Sequence, residues 1–334
     1  MNDFIFETEK YRLYYNCSMY TTEEWTSFGV KRVELSCVNL FLGFIVFLVY
    51  VPCMKTMLDP NLWRFSCYKI MFVNGIIDLF GVCNSCFVTS FMAIKGAVYC
   101  SYPKFIYVWG SISMAFWFAQ CFTAAILSLN RCADFFKIPL LTACFDKNRT
   151  YFWAIFPLGS ALYGLMYSEA AMYTSIGNMW GPDPYFGINS VKIDRRVYLN
   201  VSLNVNNILT FSILTTCYTV LVISIWMKGR NSSIPTMSRL QRNVTIQAFL
   251  ICLFIYMCAV FYVGFEFFPD LMPPGFLYLS FFGWQWSFCG VVVVYMFMNH
   301  SLREGVQKFY RKLLGCHFED STVYTTHVSV PTYT

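Results

Sequence analysis

The sequence predicts an all-α membrane protein, a seven-transmembrane helix bundle followed by a short amphipathic helix. Three observations carry this reading. The 334 residues are 57% hydrophobic and only 13% charged, whereas a soluble domain has about a quarter of its residues charged. Apolar stretches of about 20 residues recur along the chain, the length that crosses about 30 Å of hydrocarbon. None of them alternates with the short period of a barrel strand, so their main-chain groups must be satisfied within helices.

The stretches run over 33–57, 68–94, 104–129, 150–170, 199–227, 243–265 and 275–298. Pro52 and Pro157 are expected to kink the first and fourth. An odd number of spans puts the termini on opposite sides. Lysines and arginines concentrate on the C-terminal side, as around Arg131, Lys137, Lys147 and Arg149, while those on the other side are diluted by acids. The positive-inside rule then places the N-terminus outside and the C-terminus in the cytoplasm. The expected organisation is an extracellular segment 1–32, a bundle 33–298, an amphipathic cytoplasmic helix 299–314 and a disordered cytoplasmic tail 315–334. Nothing before residue 33 reads as a cleavable leader, so the first span is expected to act as the insertion signal.

In the helix after the last span, Leu302, Val306, Phe309 and Leu313 share one face and basic residues the other, a pattern suited to an anionic lipid surface. Cys316 just beyond it is a palmitoylation candidate or an ordinary free thiol. Most of the fifteen cysteines lie in apolar segments, where a thiol acts as a small apolar side chain. Cys17 and Cys100 are the two in the external segments and form the natural disulfide, the alternative being two free thiols. Asn16-Cys17-Ser18 is a glycosylation acceptor triplet on the same side.

Composition excludes several classes. A net charge of +6, spread in short basic runs, gives no continuous face for nucleic acid. His300, His317 and His327 all follow the last span, so no intramembrane histidine cluster exists for a metal. No nucleophile–base pair presents itself, and neither an enzyme nor a cofactor is expected.

Polar residues inside the spans are functional candidates by default. Asp78, Gln120 and Ser287 fall at similar depth, taking 1.5 Å per helical residue, and form a candidate buried cluster. Trp109, Trp117, Glu266, Trp284 and Gln285 lie in the outer halves, as ligand-pocket residues or as packing and interfacial anchors. Arg131 ends the third span, where an arginine also serves as a plain interfacial anchor.

Asn130-Arg131-Cys132 resembles the three-residue motif that ends the third helix of rhodopsin-like receptors, with asparagine in place of the acid. Without that carboxylate, the resemblance implies that any restraint on Arg131 comes from elsewhere. Tyr295, with the amphipathic helix behind it, is similar to the end of that family's seventh helix, although the Asn-Pro step and the sixth-helix proline are missing. An aspartate at the place of Asp78 helps bind sodium in that family; a protonated, hydrogen-bonded aspartate is the alternative here.

A narrower resemblance runs in order through Tyr15-Asn16-Cys17-Ser18, Glu24-Trp25, Tyr50-Val51-Pro52-Cys53, Ser66-Cys67-Tyr68-Lys69-Ile70-Met71, Gly96-Ala97-Val98-Tyr99-Cys100, Asn130-Arg131-Cys132 and Asp183-Pro184-Tyr185-Phe186-Gly187. Together these resemble the class T serpentine chemoreceptors of nematodes. The resemblance implies a G-protein-coupled chemosensory receptor in the plasma membrane, in a sensory cilium, binding a small-molecule ligand between its helices. Asn130, Arg131 and Tyr295 would form the switch that admits a heterotrimeric G protein. The composition of the polar tail, with residues such as Ser321 and Thr322, fits phosphorylation by a receptor kinase with arrestin binding, and equally a merely disordered tail. A seven-span transporter or ligand-gated channel is the alternative, against which stand the lack of an internal repeat and the few intramembrane charges.

Overall fold

The computed structural model describes residues 1–230, 239–267 and 275–315. It is an all-α membrane bundle whose rods are α1 (Val33–Met57), α2 (Ser66–Lys95), α3 (Pro103–Phe136), α4 (Ile155–Tyr167), α5 (Val201–Arg230), α6 (Arg239–Phe267), α7 (Gly275–Met298) and α8 (His300–Leu313). By length and composition α1, α2, α3, α5 and α7 can each cross a membrane, and α6 carries the shorter apolar stretch Phe249–Tyr262.

The distribution of side chains is that of a protein dissolved in lipid. Val38, Phe41, Leu158, Leu162 and Val222 are more than half exposed on the outer surfaces of α1, α4 and α5, while Asp78, Gln120 and Ser111 are fully buried. Water as solvent would reverse that arrangement.

The fourth rod departs from expectation. The α-helical part covers only Ile155–Tyr167, about 20 Å, preceded by a 3-10 stretch Lys147–Ala154. The cause is local: Thr150 Oγ1 bonds the Phe145 carbonyl at 2.6 Å and Trp153 Nε1 the Cys144 carbonyl at 3.0 Å, holding the entry in a tighter winding. Pro157 therefore sits in the first α-helical turn, where its missing N–H breaks no long ladder. Pro52 does lie inside α1.

Within α2 a π turn spans Cys83–Val88, and Thr89 bonds the Asn84 carbonyl through both its N–H and its hydroxyl, the latter at 2.8 Å. The extra residue turns Asn84 toward α3, where it donates to Ser113 Oγ at 2.8 Å and accepts from Trp109 Nε1 at 2.7 Å.

Between α4 and α5 a two-stranded hairpin, β1 (Met172–Thr174) and β2 (Met179–Gly181), pairs antiparallel with Tyr173 opposite Trp180. It lies close on α3: a Cβ at Gly110 would come within 1.8 Å of the Ala171 carbonyl oxygen, so only glycine allows the approach. At the other end of the bundle α8 docks on α1. Leu302 and Val306 are buried, Gly305 faces Thr56, and Asn299 caps the helix by accepting from Leu302 N at 3.2 Å. Phe309 meets the Lys55 ammonium at 5.2 Å and Leu313 is exposed, so the apolar face divides between the bundle and the surroundings.

Candidate functional site

The N-terminal segment and the hairpin together roof one end of the bundle. Cys17 and Cys100 are joined as a disulfide, which fixes the segment to the start of α3. Around it Tyr15 packs on Tyr11, Tyr99, Tyr107 and Tyr198 with ring centroids 5.0–5.9 Å apart. Tyr185 donates to the Tyr14 and Asn16 carbonyls at 3.2 and 2.8 Å, and burial pushes its hydroxyl up to about 12, so it remains a donor at neutral pH. Trp25, 1% exposed, donates to the Cys17 carbonyl at 2.9 Å. Arg32 ties the hairpin turn down through the carbonyls of Ser175 and Ile176 at 3.1 and 2.9 Å. Asn16 is exposed, with its Oδ1 accepting from Ser18 N at 2.9 Å.

Glu169, in the loop just past α4, accepts from Tyr15 Oη at 3.1 Å. Burial holds its carboxyl above the usual glutamate value, and nearby Asp3 pushes the same way.

Beneath the roof is a cavity of about 240 Å³. The hairpin contributes Met179, Trp180 and Gly181; α3 contributes Ser113, Met114 and Trp117; α5 contributes Leu203 and Asn207. Cys258 and Tyr262 of α6 and Phe281 and Trp284 of α7 close the remaining sides. The lining is apolar and aromatic with a few polar groups, the character of a small-molecule site. Its charged member, Asp183, is ion-paired with Arg195 and accepts from Tyr185 N at 2.9 Å.

One turn below the cavity floor lies a dense polar knot. Gln120 Nε2 donates to Asp78 Oδ1 at 3.0 Å and to the Ser287 carbonyl at 2.9 Å. Asp78 Oδ2 receives Asn74 Nδ2 at 2.6 Å and the Tyr50 hydroxyl. Asp78, Gln120 and Ser287 therefore do come together, and Tyr50 and Asn74 complete the cluster that sequence reasoning left partial. The Ser287 hydroxyl bonds the Trp284 carbonyl at 2.7 Å, which joins this knot to the cavity wall. Tyr295 is fully buried and packs edge-on to Tyr50 at 6.1 Å, beside the knot.

At the far end, Arg131 is packed inside the bundle. It is 6% exposed, and α3 continues beyond it to Phe136. Its guanidinium bonds Asn130 Oδ1 and pairs with Asp134 at 3.1 Å. The missing upstream carboxylate is thus replaced by one three residues downstream, one helical turn away on the same face. Asn130 also donates to Ser66 Oγ at 3.0 Å and so holds α2 to α3.

Of the pocket candidates, Trp117 and Trp284 line the cavity. Trp109 does not: it bonds Asn84 and stacks on Phe80 and Phe105, at centroid distances of 5.5 and 5.8 Å, on the α2 side. Gln285 does not either; its Nε2 is spent on Asn39 Oδ1 at 3.3 Å and Cys86 Sγ at 3.4 Å, between α1, α2 and α7. The Glu266 side chain, Cys316, Ser321 and Thr322 lie outside the described residues. Sequence reasoning missed Asn207 and the hairpin, although asparagines at 200, 204, 206 and 207 in one apolar span were a readable signal.

A helical membrane bundle with a roofed apolar cavity at one end, a polar knot beneath it and a buried arginine at the other has the layout of a serpentine receptor. Comparison with known proteins gives the family. The family described as Serpentine type 7TM GPCR chemoreceptor Srt matches residues 3–314, and the chain belongs to it. Serpentine receptor class T-55 of Caenorhabditis elegans is 25% identical over 300 residues, which cover 87% of this chain and 78% of that protein.

Proposed function

We propose that this chain is a chemosensory receptor that binds a small molecule in the cavity under the hairpin and passes the signal to a heterotrimeric G protein at the Arg131 end. The carrying observation is the connection between the two: Trp117 and Trp284 line the cavity, and Gln120 and Ser287, one turn further along the same helices, hold the Asp78 knot. Arg131 follows eleven residues beyond Gln120, about 16 Å along α3. A ligand that favours one packing of α3 against α7 would bias the arrangement around Arg131 by its differential affinity for the two states. In this reading the roof faces outside in the plasma membrane and α8 rests on the inner leaflet.

The test is a calcium assay in cells that carry the chain and a promiscuous G-protein α subunit, screened with volatile ketones, esters, alcohols and amines. Arg131→Ala at equal surface expression is expected to abolish the response to every active compound. A normal response in Arg131→Ala, or compound-evoked current that survives removal of the G protein, would overturn the proposal, the latter in favour of a channel.

A further inference from the structure

The cavity's chemistry specifies its ligand more closely than the fold does. Asn207 is 1% exposed, and its Oδ1 accepts from Trp117 Nε1 at 3.0 Å and, more weakly, from Asn206 Nδ2 at 3.5 Å. An indole N–H is a donor only, so it fixes which end of the amide faces it. The Asn207 Nδ2 must therefore point elsewhere, and no protein group among the described residues accepts from it. A buried, unpartnered amide donor on a residue that lines an apolar cavity is one that an acceptor bound there can satisfy.

Charge and size narrow the class further. Asp183 is neutralised by Arg195, and no other acidic or basic side chain lines the cavity among the described residues, so an ionised ligand would lose its hydration without gaining a counter-ion. A cavity of about 150 Å³ accepts benzene, so 240 Å³ holds a molecule of about ten non-hydrogen atoms.

Resting on the receptor reading of this cavity, we propose that its ligand is an uncharged, mostly apolar molecule of that size bearing one carbonyl-type acceptor, which takes the free N–H of Asn207. Ketones, aldehydes and esters meet the description. Hydrocarbons fill the space but leave the donor unpaired, and carboxylates and ammonium ions are excluded.

The experiment uses the full chain in lipid nanodiscs and measures binding of straight-chain, cyclic and aromatic ketones of ten non-hydrogen atoms. Each is compared with the hydrocarbon in which C=CH₂ replaces C=O and with a carboxylate of equal size; propiophenone, 2-phenyl-1-butene and phenylacetate form one such set. At least one ketone is expected to bind about tenfold or more tightly than its hydrocarbon, the loss associated with one unmade buried hydrogen bond, and the carboxylates are expected not to bind. Asn207→Leu should erase the ketone preference while keeping hydrocarbon binding. In the unmutated protein the carbonyl stretch of the bound ¹³C-labelled ketone should move to lower frequency, a readout that does not depend on the variant folding. Leu203→Trp, which fills the cavity, separates the two ideas. If it abolishes ketone binding while Asn207→Leu leaves the preference intact and the carbonyl stretch is unshifted, the cavity stands and the Asn207 assignment falls. If no ketone binds, or carboxylates bind better, the ligand class is wrong; if binding survives Leu203→Trp, the cavity reading itself is wrong.

Discussion

Gln120→Met tests whether the polar knot holds the bundle together. Methionine matches glutamine in length and flexibility, so the substitution removes the amide and leaves little void. Two donations disappear, to Asp78 Oδ1 and to the Ser287 carbonyl. The Asp78 oxygen is fully buried and has no second donor among the described contacts, so leaving it bare costs about 1–3 kcal/mol. The Ser287 carbonyl lies inside α7, where the helix ladder still supplies an N–H, so its loss is about 0.5–1.5 kcal/mol. The expected destabilisation is about 2–4 kcal/mol. At about 2 °C per kcal/mol for a chain of this length, the melting temperature in nanodiscs should fall by about 4–8 °C. Combining it with Asp78→Leu should cost less than the sum of the singles by about 1 kcal/mol, because both remove the same bond. A melting point within about 1 °C of the parent, or strict additivity, would show that these contacts do not bear on stability and that the knot is misread.

Asp134→Asn frees the Arg131 guanidinium from its charged partner. Asp134 is 45% exposed, so stability should change by less than about 1 kcal/mol, while second-messenger output without added compound should rise; unchanged basal output at equal surface expression would remove Asp134 from the switch. Gly110→Ala drives a methyl into the Ala171 carbonyl, a main-chain contact that cannot rotate away, and should cost about 1–3 kcal/mol or more. Gly159→Ala, with nothing within 4 Å, is the control, and equal melting temperatures for the two would refute the close packing of hairpin on α3. Glu169→Gln should raise the melting temperature at pH 7. The ionised form is the less favoured one in the fold, so the parent loses stability as pH rises from the ordinary glutamate value through its raised one, and the variant does not. The gap should close as pH falls below the ordinary value, and a gap independent of pH would contradict the burial of Glu169.

How much of this was readable before the structure depends on the length scale of each signal. The span expected at 33–57 is α1 residue for residue, because lipid solvation imposes a long uniform apolar run. The fourth span was overextended because hydropathy does not register the side-chain bonds of Thr150 and Trp153 that keep the entry out of the α-helix. The hairpin strands are three residues each, shorter than any window in which period two can be recognised. Trp109 and Trp117 look equivalent as aromatic residues in one span, yet eight positions turn a helix by about 80° beyond two full turns, so they serve different walls. Asp134 was in plain sight, but a motif that places the acid before the arginine directs attention upstream, whereas helical geometry accepts an acid a turn later equally well.

Those helical turns also give the proposed receptor a physical link between its cavity and the distant arginine. Ser113, Trp117, Gln120 and Ala124 form a stripe along α3 at i, i+4, i+7 and i+11. Ser113 meets Asn84 of α2, and Trp117 meets Asn207 of α5. Gln120 meets Asp78 of α2 and Ser287 of α7, and the Ala124 carbonyl accepts weakly from Cys252 of α6 at 3.9 Å. Asn130 and Arg131 lie in the last two turns of the same helix, bound to Ser66 and Asp134. Successive turns of one rod thus make polar contact with four neighbours, and α3 cannot rotate or slide without breaking bonds on several of them together. A ligand engaging Asn207, as proposed, would act on the partner of Trp117, one turn from Gln120. In the proposed receptor, shifts there would be transmitted in discrete steps, because each bond in the stripe is either made or lost.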